Sequence, residues 1–170
     1  MEITLRRANM ADLDPFLAIR NSDFVLRYNC MQPLTVEKAR LALAQDAADP
    51  HCFYIDLHGR MIGAIYFSQD DLRFGVNALS VSYYLSQDCT RRGYMSQALS
   101  QALAVVFSED VTLVSARVFS ENTASIRLLK GLGFQQEGFL RHAVRACGDI
   151  VYDDTLWALF KTDFLRRDPA

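Results

Sequence analysis

The chain has 170 residues, of which 51% are hydrophobic and 22% charged, with a formal net charge of −2. That is one domain's length of chain, long enough to bury a core without staples, and its balance is that of a soluble globular protein. The charge excludes the basic footprint of a nucleic-acid binder, and apolar runs such as Ala102–Phe107 are far too short for a bilayer.

Met1–Arg7 lacks the apolar stretch of a signal peptide, so a cytoplasmic protein is expected. Cys30, Cys52, Cys89 and Cys147 are widely scattered, as are His51, His58 and His142. Such dispersal predicts reduced thiols and no metal site. No repeat or linker divides the sequence, so residues 1–170 are expected to form one domain.

Ile3–Arg7 alternates like a short strand, and Asn9 or Asp12 can cap a helix near Ala11–Arg20, with Pro15 in its first turn. Asn21–Thr35 reads as an irregular connection carrying Phe24 and Tyr28, and Val36–Ala48 as a helix ended by Asp49-Pro50. Cys52–Leu57 and Met61–Phe67 are strand-like around a hairpin turn at His58-Gly59-Arg60, and Val76–Leu85 is a further strand. Met95, Ala98, Leu99, Ala102, Leu103, Val106 and Phe107 then recur at helical spacing, opposite Gln97, Ser100 and Gln101. Val111–Phe119 reads as strand, Asn122–Leu132 as helix, and Phe139–Cys147 and Ile150–Phe160 as two closing strands. A helix between two strands favours a parallel crossover and the hairpins favour antiparallel pairing, so the expected fold class is α/β with a mixed sheet flanked by helices.

Two helix starts carry the chemistry. The first, Thr90-Arg91-Arg92-Gly93-Tyr94-Met95-Ser96, joins a strand to the long helix. A helix N-terminus offers unpaired N–H donors and partial positive charge to an anion, and Gly93 lets backbone approach it closely. Arg91 and Arg92 add charge, although the same residues also suit an ordinary turn with solvated arginines. One glycine does not make a dinucleotide fingerprint, and no Gly-Lys-Ser/Thr ending makes a Walker loop. The second start, from Asn122 through Ser125 to Gly133-Phe134, has a good N-cap and a glycine suited to ending the helix.

In combination, the Arg-Arg-Gly turn and the Asn122-x-x-Ser125 helix ending in Gly133-Phe134 resemble the GNAT superfamily of N-acetyltransferases. Ser82-Tyr83-Tyr84-Leu85 and Gly93-Tyr94-Met95-Ser96-Gln97-Ala98-Leu99 are similar to the RimJ/RimL group, which includes ribosomal-protein N-terminal acetyltransferases. The resemblance implies a GNAT-like fold of about seven mixed strands, with a splayed central strand pair forming a CoA cleft. It implies acetyl-CoA as donor, an amine acceptor, and a monomer or homodimer.

By the same resemblance, backbone at Tyr83, Tyr84 and Leu85 would pair with pantetheine. Amides from Arg91 to Ser96, beside Thr90, would hold the pyrophosphate, and Asn122 would contact the pantetheine arm. A backbone N–H near Leu85 would steady the oxyanion, and Ser125 would protonate the departing thiolate or hydrogen-bond to it, although stabilising the helix start is its other reading. Phe24, Tyr28 and Asn29, with Ser80 and Ser82, would face the acceptor, although Phe24 and Tyr28 also suit core anchors. Related enzymes often carry Glu where this chain has Ser80 and Tyr where it has Leu129, leaving Tyr83, Tyr84 and Cys89 in reserve as acids and Asp70 and Asp71 as proton relays.

An α-amine with a pKa near 8 needs about 1.4 kcal/mol to deprotonate at pH 7, and a lysine near 10.4 needs about 4.6. Without the strand Glu, the easier amine is favoured, so a protein N-terminus is the expected acceptor. A small amine (polyamine, aminoglycoside-like compound or amino acid) is the enzymatic alternative, and a catalytically degenerate acyl-CoA-binding regulatory module the non-enzymatic one.

Overall fold

The computed structural model describes residues 3–146 and 150–167. Among the described residues seven strands form a mixed sheet in the order β1-β2-β3-β4-β5-β7-β6. Their ranges are β1 Thr4–Arg6, β2 Cys52–Leu57, β3 Arg60–Gln69, β4 Ala78–Leu85, β5 Leu113–Phe119, β6 Gln135–Arg145 and β7 Val151–Phe160. The helices are α1 Leu13–Arg20, α2 Asp23–Leu26, α3 Val36–Ala48, α4 Tyr94–Ser108, α5 Thr123–Leu132 and α6 Lys161–Arg167, with 3₁₀ turns at Met10–Asp12 and Gln87–Cys89. No helix among the described residues is long and apolar enough to cross a membrane.

Contacts group the chain into two compact units, one running to Tyr66 and resuming over Tyr83–Ala102, the other comprising Phe67–Ser82 and the residues from Leu103 onward. In the first unit β1, β2 and β3 pair antiparallel. The β2–β3 turn puts both His58 (φ 54) and Gly59 (φ 83) in the left-handed region, which matches the strand twist in a two-residue hairpin. Phe16, Ile19, Ala39, Leu43, Tyr54 and Met61 belong to its core, where the Phe16 and Tyr54 rings stack at 6.2 Å. Asn9 caps the 3₁₀ turn by accepting from Ala11 N (2.9 Å), while the Asp12 carboxylate accepts from Asn9 N (2.9 Å). Arg6 then grips Asp12 through both terminal nitrogens (2.8 and 2.7 Å) and Asp56 through Nε (2.9 Å).

In the second unit β4 pairs parallel with β5 from Ala78↔Leu113 to Ser80↔Ser115. Both strands run on, β4 to Leu85 and β5 to Phe119. β5 pairs antiparallel with β7 along its whole length, and β7 with β6. The apolar face expected on the long helix is buried at each of Met95, Ala98, Leu99, Ala102, Leu103, Val106 and Phe107.

Three expectations are corrected. The connection over 21–35 is not wholly irregular, because Ser22 caps the short helix α2 and Val25 inserts its side chain into the core. β6 begins at Gln135, well before Phe139, since β7 continues far enough to pair with it there. The expected end of that strand at Cys147 lies outside the described residues. Helix α6 was not expected, for Lys161–Arg167 is too short and too charged to show a period. Phe164 anchors it against Phe107 with ring centres 5.2 Å apart.

Strand β4 approaches β3 closely at Gly63. A Cβ there would stand 2.4 Å from the Tyr84 carbonyl oxygen and 3.1 Å from Leu85 Cα, both backbone atoms. Gly63→Ala must therefore push the two strands apart, and overpacking of this kind costs roughly 1–3 kcal/mol. The expected outcome is a lower urea midpoint with an unchanged slope.

Candidate active site

Of the expected site residues, Phe24, Tyr28, Asn29, Tyr83–Leu85 and the turn 90–96 fall in the first unit. Ser80, Ser82, Asn122 and Ser125 fall in the second. The turn begins where the 3₁₀ segment Gln87–Cys89 ends, and Thr90 closes it by donating its hydroxyl to Gln87 O (2.8 Å). Arg91 (φ 61) and Gly93 (φ 80) are left-handed with Arg92 between them, an arrangement that turns successive N–H groups toward one concavity. Gln97 N bonds back to Gly93 O (3.0 Å), so the amides ahead of it are the ones a helix leaves without intrahelical partners.

Arg91, Arg92, Gly93 and Ser96 are exposed, and nothing lies within 4 Å of a Cβ placed on Gly93. Tyr94 and Met95 point the other way, into the core. The bulk of Met95 thus leaves the turn open to an anion. Behind the turn, Asp88 is bound by the Ser86 hydroxyl and by Arg60 (2.9 Å), which together hold its carboxyl down at about 2. Cys89 is buried and its thiol pushed up by that burial. A protonated, enclosed thiol is a poor acid or nucleophile.

Just past the end of β4, Ser86 N donates to Ile62 O on β3 (2.7 Å). Since successive N–H groups along a strand alternate between its edges, those of Leu85 and Tyr83 point to the edge away from β3. The Leu85 N–H thereby faces the edge at which a strand-like ligand would add. Ser80, Ser82 and Tyr84 alternate onto one face, while Leu79 and Val81 on the other are buried.

In the second unit the helix start has settled chemistry. The Asn122 side-chain oxygen accepts from Ser125 N (3.2 Å), and Gly133 (φ 96) ends the helix in the left-handed region. Asn122 keeps its amide hydrogens for another partner. The hydrogen bond described for Ser125 uses only its backbone, which leaves its half-buried hydroxyl for other chemistry.

Ser80 lines a cavity of about 160 Å³ with Ser68, Asp70, Ser115, Arg117, Glu137 and Trp157 among its walls. A larger, open hollow of about 450 Å³ at Lys130, Phe134, Gln135, Gln136 and Trp157 contains none of the expected site residues. Asp70 at the first cavity is already committed. It accepts from Leu72 N (2.8 Å) and from Arg73 (2.6 Å), and Arg73 also grips Glu137. Burial works to raise the Asp70 carboxyl, but these hydrogen bonds outweigh it and hold the carboxyl low. An ion-paired carboxylate is a poor base, so Asp70 does not serve as the expected proton relay. Arg117 pairs with the buried Asp154 (2.7 Å).

Phe24 is 43% exposed, so the core anchor of the early connection is Val25 and not Phe24. Tyr28 and Asn29 are half-buried, with Arg27 5.2 Å from the Tyr28 ring and Asn29 accepting from Met31 N (2.9 Å).

One polar cluster was not foreseen. Asp46 Oδ2 on α3 accepts from Tyr54 (2.7 Å) and Tyr66 (3.0 Å), and the Tyr66 hydroxyl meets that of Tyr84 at 3.1 Å. Burial pushes the Asp46 carboxyl up, only partly offset by the two phenols. Burial also raises all three phenols, while the Arg20 charge favours the ionised form of Tyr84. Arg20 is 3% exposed, and its two terminal nitrogens meet no hydrogen-bond partner. The available signal was the strand period, which puts Tyr84 on the face of Ser80 and Ser82.

Residues 2–135 match the acetyltransferase (GNAT) domain family. An uncharacterised N-acetyltransferase, p20, from Bacillus licheniformis is 27% identical over 171 residues, covering 95% of this chain and 94% of the relative. Among solved structures, a GNAT-family acetyltransferase from Bacillus anthracis superposes with a TM-score of 0.84 at 21% identity, covering 95% of this chain and 96% of that one. RimJ from Mycobacterium smegmatis, in complex with CoA-disulfide, superposes with a TM-score of 0.80 at 21% identity, covering 97% and 88%. The chain belongs to the GNAT acetyltransferase family, and it is an acetyl-CoA-dependent N-acetyltransferase.

The paired state of Asp70 has a measurable consequence. A carboxyl held below its unfolded value adds stability above that value, near pH 3.9, and the gain disappears as pH falls through the folded one. Asp70→Asn is expected to lose about 1–3 kcal/mol at pH 7. Its unfolding curve should converge on that of the wild type as the pH drops below 4.

Proposed function

We propose that the acetyl group is transferred to the α-amine of a protein N-terminus, as in the RimJ/RimL group. The observation that carries this reading is the absence of a ready carboxylate along β4: Ser80 stands where related enzymes often carry Glu, and Asp70 is held by Arg73. Deprotonating an α-amine at pH 7 takes about 1.4 kcal/mol, against about 4.6 for lysine. A site without a strand carboxylate handles the first more easily.

The turn amides from Arg91 to Ser96, with the exposed Arg91 and Arg92, take the pyrophosphate. Backbone at Tyr83–Leu85 accepts the pantetheine as an added strand, with the Asn122 amide on the same arm. The amine lone pair attacks the thioester carbon directly, and the carbonyl electron pair moves to oxygen, where Leu85 N–H receives it. Collapse of that adduct expels the thiolate, which takes a hydrogen bond or proton from the Ser125 hydroxyl, and the proton shed by the newly acylated nitrogen restores the hydroxyl or completes the thiol. Phe24, Tyr28 and Asn29, with Ser80 and Ser82, contact the acceptor.

Peptides with varied N-termini and a panel of small amines, assayed by thiol release from acetyl-CoA, test the acceptor. Turnover of peptides well above that of polyamines and free amino acids is expected, and the reverse ranking rejects the reading. Binding of acetyl-CoA without transfer to any amine rejects enzymatic acceptor chemistry altogether. Ser125→Ala is expected to lower kcat by about a hundredfold with acetyl-CoA affinity nearly unchanged. Arg91→Glu combined with Arg92→Glu should do the opposite, weakening acetyl-CoA binding measured by calorimetry.

A further inference from the structure

The first unit holds a continuous run of polar atoms from strand β4 to the edge of α3. Tyr84 on β4 meets Tyr66 on β3 at 3.1 Å, Tyr66 meets Asp46 on α3 at 3.0 Å, and Tyr54 on β2 meets the same Asp46 oxygen at 2.7 Å. The Tyr66 and Tyr84 rings lie 6.0 Å apart. Proton counting orients the chain. A phenol has one hydrogen to donate, and that of Tyr66 is spent on Asp46. In the Tyr66–Tyr84 contact, Tyr84 must therefore be the donor. Its oxygen lone pairs are then left to accept an N–H from a group on its other side.

We propose that this chain, Tyr84 to Tyr66 to Asp46, is the outlet for the proton of the acceptor amine. It deepens the acceptor chemistry proposed above and rests on it. The bound ammonium gives an N–H proton to the Tyr84 oxygen as the Tyr84 proton passes to Tyr66 and the Tyr66 proton to the Asp46 carboxylate. The N–H bonding pair stays on nitrogen as the lone pair that attacks the thioester. Asp46 ends as a neutral carboxylic acid, each phenol regains one proton, and the charge of the former ammonium is cancelled at Asp46.

The surroundings of both ends suit this direction. Asp46 faces Tyr54 and Cys52 from β2, Tyr66 from β3, Tyr84 from β4 and Asp49 at the end of its own helix. No arginine, lysine or histidine pairs with it among the described residues, in contrast to Asp12, Asp70 and Asp154. A carboxylate lodged among phenols and another acid holds a proton more firmly than one beside a guanidinium. Asp46 is also only half-buried, so the proton can pass on to water. At the other end the buried charge of Arg20, on α1, steadies the Tyr84 oxygen while its proton is in transit. In the relay Tyr84 alone touches the substrate, whereas Tyr66, Asp46 and Arg20 act through it.

The test is the pH profile of kcat/KM for Tyr84→Phe, Tyr66→Phe, Asp46→Asn and Asp46→Glu, with the fastest amine of the acceptor panel. The two Phe variants remove a single oxygen each, so folding is retained even if an Asp46 variant unfolds. At pH 7 Tyr84→Phe, Tyr66→Phe and Asp46→Asn are expected to lose about a hundredfold, with acetyl-CoA affinity within about twofold by calorimetry. The loss should shrink steadily as the pH rises past the pKa of the amine used, which for an α-amine near 8 means that it is largely gone by about pH 9.5. Asp46→Glu, which keeps the carboxylate, should recover part of the pH 7 rate.

A loss that stays the same at every pH, or no loss in Tyr66→Phe, overturns the relay while leaving the acceptor reading intact. A preference for small amines overturns the acceptor class but not the relay, because the profile is measured on whichever amine reacts. Wild-type protein that transfers to no amine overturns both.

Discussion

Strand β4 can lie against β3 in its observed register only because residue 63 has no side chain. The Tyr84 carbonyl occupies the space where a Cβ would stand, and Leu85 presses in beside it. That approach lets Ser86 N bond to Ile62 O and so decides which amides of β4 point away from β3. The same register sets the Tyr84 hydroxyl against Tyr66. Backbone donors on one edge and a polar side-chain chain on one face therefore share a single cause. Ordinary side chains at position 63 would disturb both together, which makes this glycine a requirement of close approach and not of turn geometry.

Two carboxylates of the same unit, the buried Asp12 and the half-buried Asp46, are held in different ways, and the contrast separates architecture from chemistry. Asp12 is caught by two nitrogens of Arg6 and by the Asn9 amide. Burial alone would raise its carboxyl, yet those partners hold it down. It closes the capping box of the 3₁₀ turn and ties β1 to the chain that follows. Asp46 has only phenols for donors, and its carboxyl is pushed up. A group that is saturated and charged at all working pH values stabilises; one left short of counter-charge is prepared to take a proton. In the second unit Asp70 and Asp154 are likewise each held by an arginine.

What was legible in the sequence was what depends on near neighbours. The seven apolar positions of α4 recur at helical spacing, and all are buried. Asn122 and Gly133 begin and end α5 as their side-chain chemistry dictates. The Arg91–Gly93 turn could be read because left-handed backbone and a helix start each leave a local mark. The acid–phenol cluster left no such mark. Asp46, Tyr66 and Tyr84 are far apart in the chain and meet only through strand register, which a residue pattern does not encode. Helix α2 was overlooked for a related reason: one turn held by the Ser22 cap and the insertion of Val25 is too short for periodicity to show. The choice between the two readings of Phe24, acceptor wall or core anchor, lay on the same scale, since exposure of one face of a single turn is settled by tertiary packing, which leaves Phe24 exposed.

The acceptor and the base are one problem seen from two sides. Moving a proton from an amine to a carboxyl is uphill by about 1.4 kcal/mol for each unit of pKa between them. A carboxylate fixed by a guanidinium sits low on that scale and faces the steepest climb. Desolvation at Asp46 shortens the climb from the acceptor's end, and an α-amine shortens it from the donor's, by about 3 kcal/mol relative to lysine. Phenols between them add no stable resting place for the proton, because burial keeps each one protonated. The chain can therefore pass a proton only in concert, delivering it straight to Asp46. A weakly basic amine and a remote, partly desolvated carboxylate are matched in a way that neither a lysine acceptor nor the arginine-bound Asp70 would be.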